Sequence, residues 1–468
     1  ISCSLVGSEM CIRDSFFIKA VQLILAFGLL VIVHEFGHYI FSRIFGIRVE
    51  KFYIFFDPWF SLFKYKPKKK PGTEDKASWR DTEYGIGWLP LGGYCKISGM
   101  IDESMDLEQM KQPAKPWEFR SKPAWQRLLV MVAGVLFNFI LAIIIYAGIA
   151  YTWGDKYIDY EDATYGMQYC EPAHRIGFVD GDIPLMMDGQ KIDAANYDLL
   201  KMLESKQVTV LRNGKDTVVI NMPENAVLKI NSEMEKEDSG FGFMVYRIPV
   251  VVKEAVAGEA AEDAGLQAGD RIVAVDSVPA ETYDVFSKEL AANKGKSVAL
   301  QYVRDGKEQS TTIQISETGK IGIMLTPITD LYKTKTIEYN LWQSIPRGIE
   351  IGVDKLVSYV SQMKYIFTSE GAKSLGGFGA IGNMFPDTWS WYQFWVITAF
   401  ISLALAFMNI LPIPALDGGH ILFLIYEMIT GREPNQKFME YAQMIGLGLL
   451  VLLMLYANAN DIYRFFIK

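Results

Sequence analysis

Apolar residues in this chain collect in four runs, and the periodicity between the runs changes character. From Val21 to Phe45 the only formal charges are Glu35 and Arg43, within a first run that covers residues 16–45. Residues 128–151 are uncharged, with Asn138 as the one strongly polar side chain, either a bond between helices or part of a site. A third run begins in a belt of Trp389, Trp391, Tyr392 and Trp395 and continues to Leu411, and a fourth covers residues 441–459. Each is close to the ~20 residues that a helix needs to cross a bilayer. The pattern predicts four transmembrane helices and, with the segments between them, a polytopic α-helical membrane protein that also carries α+β domains.

The intervening segments are not alike. Residues 46–127 hold aromatic positions 52–63, a basic cluster from Lys64 to Lys70, and an apolar stretch from Tyr84 to Ile97 interrupted by Pro90, Gly92 and Gly93. The basic cluster places this loop in the cytoplasm by the positive-inside rule. The stretch 84–97 predicts a membrane-associated β-hairpin or looped strand pair. Residues 331–388 predict an amphipathic helix near the membrane surface, over 339–367, and a Gly-rich segment at 374–382. Residues 421–440 form a second cytoplasmic loop, and 460–468 a tail.

Residues 154–330 contain an internal repeat. Pro172-Ala173-His174-Arg175-Ile176-Gly177, Gly181-Asp182-Ile183 and Asp188-Gly189 recur as Ala260-Ala261-Glu262-Asp263-Ala264-Gly265, Gly269-Asp270-Arg271-Ile272 and Asp276-Ser277. Each copy continues into a helix (195–203 and 283–290) and a strand ending in Arg-Asn-Gly-Lys or Arg-Asp-Gly-Lys. The two copies, 154–245 and 246–330, resemble tandem PDZ domains of the circularly permuted type found in bacterial proteases. The Gly-Asp steps read as tight turns without chemistry. Four spans with this acidic region outside and the basic loop inside make a self-consistent topology.

Composition narrows the picture. The chain has 468 residues, half of them hydrophobic, which suits a few spans plus soluble domains. A net charge of −8 argues against nucleic acid as a partner. Four cysteines form neither a disulfide framework nor a CxxC metal site. Residues 1–15 begin with Ile1 and have the look of a translated sequencing adaptor; they are expected to be non-native.

Candidate chemistry lies in the first run, as His34-Glu35-Phe36-Gly37-His38. Histidines at i and i+4 share one helix face, and the glutamate beside the first reaches the same metal site, which is the pattern of a zinc hydrolase. Ionisable residues inside a span are costly and mark function. A catalytic zinc takes three protein ligands and keeps one open position. The third would come from Asn409-Ile410-Leu411-Pro412-Ile413-Pro414-Ala415-Leu416-Asp417-Gly418-Gly419-His420, where two prolines break the third span. Asp417 is favoured, His420 is its rival, and Asp417 as a helix N-cap is the alternative without a metal.

HEFGH, the LGGY loop at residues 91–94, the stretch from Ala133 to Phe139, the repeats and NxxPxPxLDGG together resemble the site-2 protease family of intramembrane zinc metalloproteases, in its bacterial regulator-of-sigma-E type. Val135 departs from the family, which usually has proline there. The resemblance implies zinc as cofactor on His34, His38 and Asp417, with Glu35 as general base. It also implies substrate or oxyanion contacts from Asn409, Asn138, Gly92 and Gly93. The implied setting is the bacterial inner membrane, with the PDZ domains extracytoplasmic and the active site near the cytoplasmic face. The implied substrates are single-span proteins, such as anti-sigma factors or remnant signal peptides, whose outer domain has already been removed; peptides are possible PDZ ligands. An inactive membrane-anchored PDZ scaffold and a zinc transporter are the rival classes.

Overall fold

The computed structural model describes residues 2–68, 77–90, 92–100, 113–196, 199–224, 226, 230, 242–363 and 376–466. Lys69 and Lys70 of the basic cluster, Leu91 of the LGGY loop, 197–198 of the first repeat's helix, 364–367 of the amphipathic stretch and 374–375 of the Gly-rich segment lie outside the described residues. The chain divides into two compact units, one made of residues 1–154 and 338–468, the other of 155–337.

The first unit contains α1 (Ser2–Ile44), α2 (Ala124–Trp153), α3 (Leu341–Gln362), α4 (Phe378–Gly382), α5 (Trp391–Ile410), α6 (Asp417–Thr430) and α7 (Gln436–Phe466). Four of these are long and apolar enough to cross a membrane, over Phe16–Ile44, Ala124–Trp153, Trp391–Ile410 and Lys437–Tyr463. They fall on the four apolar runs. Helix α2 is central, packing against α1, α3, α5 and α6. It continues unbroken through the buried Val135, where a proline would have removed a ladder hydrogen bond. Arg127 at its start is ion-paired to Glu427 of α6, with both side chains largely buried, and this ties the helix that follows the broken span back to α2.

The sequence predicts an amphipathic helix over this stretch, and α3 forms there, lying along α2. Its packing face is made of small residues one turn apart. Ser344 and Gly348 are buried, and a Cβ on Gly348 would fall 2.5 Å from the Ala147 backbone. One turn on, Gly352 faces Ile143 and Tyr146, and Tyr359 meets Phe400 and Phe407 of α5 edge-on. Small residues every fourth position let the two helices approach closely. Trp342, Ile345, Ile349, Val353, Val357 and Val360 remain exposed, the stripe that made the segment look interfacial.

The segment between α1 and α2 forms a four-stranded sheet, and this corrects the expected hairpin. Strands β1 (Val49–Tyr53), β2 (Phe56–Tyr65), β3 (Glu83–Leu89) and β4 (Tyr94–Ile97) are ordered β2-β3-β1-β4. The two strands of 84–97 do not pair with each other. β1 lies between them, parallel to β3 and antiparallel to β4. The aromatic run 52–63 thus supplies strands, as its β-propensity allows, and among the described residues only β2 and β4 lie at the edges of the sheet.

In the second unit the repeat is visible as two equivalent sheets. Ile183–Met187, Gln190–Lys191, Gln207–Arg212 and Asp216–Asn221 make one, and Arg271–Val275, Val278–Pro279, Ser297–Arg304 and Lys307–Gln314 the other, with the same strand order. Each covers its own core, around Phe178 and Phe243 in one and Phe286 and Leu300 in the other. The Gly-Asp steps are more than turns. Asp182 and Asp270 are both 1% exposed. Each receives a two-pronged hydrogen bond from the arginine that ends the third strand, Arg212 or Arg304. That arginine also reaches the carbonyl of Gly177 or Gly265, and each aspartate accepts a backbone N–H, from Val179 or Gln267.

Candidate metal centre

His34 and His38 are buried one turn apart on α1, with their Nε2 atoms 3.2 Å apart. Asp417 begins α6, immediately after the Pro412–Pro414 break, and its Oδ2 lies 3.2 Å from His34 Nε2 and 3.4 Å from His38 Nε2. The side chain does not cap the helix; Leu416 occupies the N-cap position without a side-chain bond. His420, the rival third ligand, faces α7, with Nε2 2.6 Å from Gln443 Nε2. Among the described residues, His34, His38 and Asp417 are the one group of three whose ligand atoms converge in this way. Ala415 in the loop before Asp417 has φ 78°, a left-handed backbone that a non-glycine residue adopts at a cost.

The local chemistry tests whether a metal suits this set. His38 Nδ1 donates to the Val130 carbonyl at 2.9 Å, so a neutral His38 presents a lone pair at Nε2. Asp417 Oδ2 is buried and makes no hydrogen bond. His38 Nε2 and Asp417 Oδ2, both lone-pair atoms, therefore face one another at 3.4 Å, with His34 Nε2 3.2 Å from each. In a tetrahedral shell with bonds of about 2.0–2.1 Å, ligand atoms are about 3.3–3.4 Å apart. The donor set fits zinc in both type and spacing.

The helix crossing makes room for the histidines. A Cβ at Gly134 of α2 would stand 2.4 Å from His38 Nε2 and 2.8 Å from His34 Cε1, and one at Gly37 would stand 2.5 Å from the Ala133 carbonyl. Any larger residue at 134 would occupy the space around the ligand nitrogens. Neither Gly134 nor the Val130 carbonyl was singled out from the sequence. Gly134 sits in a stretch that the resemblance does quote; a backbone carbonyl leaves no trace in residue identity.

The other expected site residues are placed unequally. Glu35 is half-buried and takes a backbone hydrogen bond from Cys95, which brings β4 alongside the HExxH turn. Gly93 lies against α1, where a Cβ would be 2.6 Å from Val31, and Gly92 holds φ 149° beside the Phe56 ring. β4 is anchored by Tyr94, whose hydroxyl donates to Asp57 at 2.9 Å; burial, then this acceptor, pushes the phenol above its usual range. Asn409 is half-buried in the last turn of α5. Asn138 is fully buried behind His34, with its Nδ2 3.3 Å from Nδ1, on the side of the ring away from Asp417.

A helical membrane unit that gathers His34, His38 and the partly buried Asp417 beside a glutamate suits an intramembrane metalloprotease. The sequence pattern of peptidase family M50 matches residues 22–453, and the chain belongs to that family of zinc-dependent peptidases. It is similar to the regulator of sigma-E protease RseP of Escherichia coli strain K12, 31% identical over 490 residues that cover 96% of this chain and 99% of the relative. It is likewise similar to the regulator of sigma E protease of Haemophilus influenzae, 28% identical over 470 residues, covering 94% and 98%. A Neisseria meningitidis protein whose description includes the words zinc metalloprotease is 27% identical over 467 residues, covering 94% and 98%.

Proposed function

We propose that the protein hydrolyses peptide bonds within the transmembrane segments of single-span proteins, such as anti-sigma factors or remnant signal peptides, once their outer domain has been removed. The observation that carries this reading is the convergence of His34, His38 and Asp417 beside Glu35 in an apolar helical unit. His34, His38 and Asp417 would hold the zinc. When bound, zinc supplies a Lewis acid that acidifies water and polarises a carbonyl. Glu35 takes the proton from the attacking water and returns it to the leaving amine. Asn409 is the side chain proposed to donate to the developing oxyanion.

A peptide bond in a helical substrate is shielded by its own hydrogen bonds, so the substrate has to unwind. An added strand would hold it open. Both sides of β3 are paired, so among the described residues of the stretch 84–97 only β4 lies at an edge, beside Glu35 and behind Gly92 and Gly93. Proline substitutions along β4 that left cleavage unchanged would rule this out. We assign the two repeats, 154–245 and 246–330, as PDZ domains on the extracytoplasmic side of the bacterial inner membrane, with the metal centre toward the cytoplasmic face. There they would exclude substrates that still carry an outer domain.

The test is to incubate the purified protein with a single-span peptide, with and without a chelator, and to map the products by mass. Chelator-sensitive cleavage within the apolar segment is expected; no cleavage, or cleavage indifferent to the chelator, would refute the reading.

A further inference from the structure

The two histidines of the metal centre are held differently at their far nitrogens. His38 Nδ1–H is fixed by a backbone carbonyl, that of Val130. His34 Nδ1 has a side chain in the equivalent place, the Asn138 carboxamide at 3.3 Å. Val130, Gly134 and Asn138 follow one another at i, i+4 and i+8 and so form one stripe of α2. That stripe contacts the first histidine at one end and the second at the other, with Gly134 clearing the space between.

The hydrogen-bond chemistry of Asn138 is incomplete as placed. Its Nδ2 is the atom nearer His34, while its Oδ1 is buried without a partner. A donor facing Nδ1 suits only a ring that carries its proton on Nε2, and that proton would point among the ligand atoms. A histidine that ligates through Nε2 carries its proton on Nδ1 and needs an acceptor there. Turning the carboxamide by half a turn supplies that acceptor from Oδ1, and the assignment of amide O and N follows from such partners. The residue cannot swing away. It is 0% exposed, and its main-chain carbonyl is pinned by the Ser402 hydroxyl of α5 at 2.7 Å.

We propose that Asn138 is a positioning residue, whose carboxamide oxygen accepts the Nδ1–H of His34 and thereby holds Nε2 as the nitrogen that faces the metal. It does for His34 what the Val130 carbonyl does for His38, and it takes no part in oxyanion stabilisation. The proposal rests on the zinc reading of the site.

The experiment is zinc affinity of the full-length protein in nanodiscs, measured with Zn2+ against a competing chelator. Asn138→Leu removes the acceptor at similar volume, and Asn138→Ala removes it without any risk of overpacking. Asn138→Asp keeps an acceptor in place. The dissociation constant is expected to rise by roughly 10- to 100-fold in the Leu and Ala variants, the usual effect of losing such a partner, and to stay near wild type or tighten in the Asp variant. Wild-type affinity in a folded Leu or Ala variant overturns the proposal. So does an Asp variant as weak as the Leu variant, because the acceptor would then not be what matters. Asp417→Ala separates the two levels. If it loses zinc while Asn138→Leu does not, only the positioning role fails; if it keeps zinc at wild-type affinity, the site reading fails and the proposal with it.

Discussion

Asp182 and Asp270 on one side, and Asp417 on the other, are carboxylates withdrawn from bulk water, and their surroundings treat them in opposite ways. In the repeats every oxygen is answered. A forked arginine, a backbone N–H and a carbonyl for the spare arginine proton recur in both copies. Buried charge survives in proteins when it is paired and hydrogen-bonded. At the metal centre Asp417 Oδ2 faces two imidazole nitrogens, with no hydrogen bond of its own. The repeats spend their buried aspartates on holding a turn to a strand. The membrane unit leaves its aspartate open to the cation proposed for it. The difference lies in partners, not in residue type.

Substitutions can break this contrast. The largest effect is expected from Glu35→Gln, which should cut cleavage of a single-span peptide by roughly 10²–10⁴-fold, the range of general acid–base catalysis, while metal analysis still finds zinc bound. Next comes Gly134→Ala. Its Cβ would intrude on His38 Nε2, so misplacement of the ligand should cost about 10²-fold in turnover, with zinc content falling in parallel. A fully active Gly134→Ala would show that the crossing of α1 and α2 is not what shapes the site.

The repeats should answer in stability, not chemistry. Asp182→Ala strands the Arg212 fork and should destabilise the first repeat by roughly 1–3 kcal/mol, seen as faster hydrogen exchange in its sheet, with zinc content unchanged. Altered zinc content would mean that the two regions are not separable as argued. The smallest effect concerns Asp159, whose carboxyl is held below its usual range by the hydrogen bond from Lys335. A depressed folded pKa contributes stability above the unfolded value of about 3.9 and loses it as pH falls through the folded value. Lys335→Gln should therefore exchange faster than wild type along Asp155–Ile158 and Thr334–Ile337 at neutral pH, and the gap should close in acid below about pH 4.

The same contrast explains what could be read from the sequence. Spans and HExxH announce themselves locally, through length, hydropathy and a four-residue spacing. The repeat was legible because its signals recur in order, yet Gly181-Asp182 and Gly269-Asp270 looked like bare turns. Their arginines lie 30 and 34 residues away, beyond any local pattern. The sheet misled for the same reason, since β1 enters between two strands that follow each other closely in sequence. Asp417 and His420 stayed rivals because a one-dimensional motif does not say which way a helix turns; in the fold, the first meets the histidines and the second meets α7. Val130 could not have been found at all, because every residue offers a carbonyl.

The central claim is that His34, His38 and Asp417 together hold one catalytic zinc. The most direct measurement is zinc stoichiometry of purified wild type and Asp417→Ala, taken alongside cleavage of a single-span peptide by the same samples. The account predicts one zinc per chain and cleavage within the apolar segment for wild type, and neither for Asp417→Ala. A variant that keeps its zinc and still cleaves would contradict it.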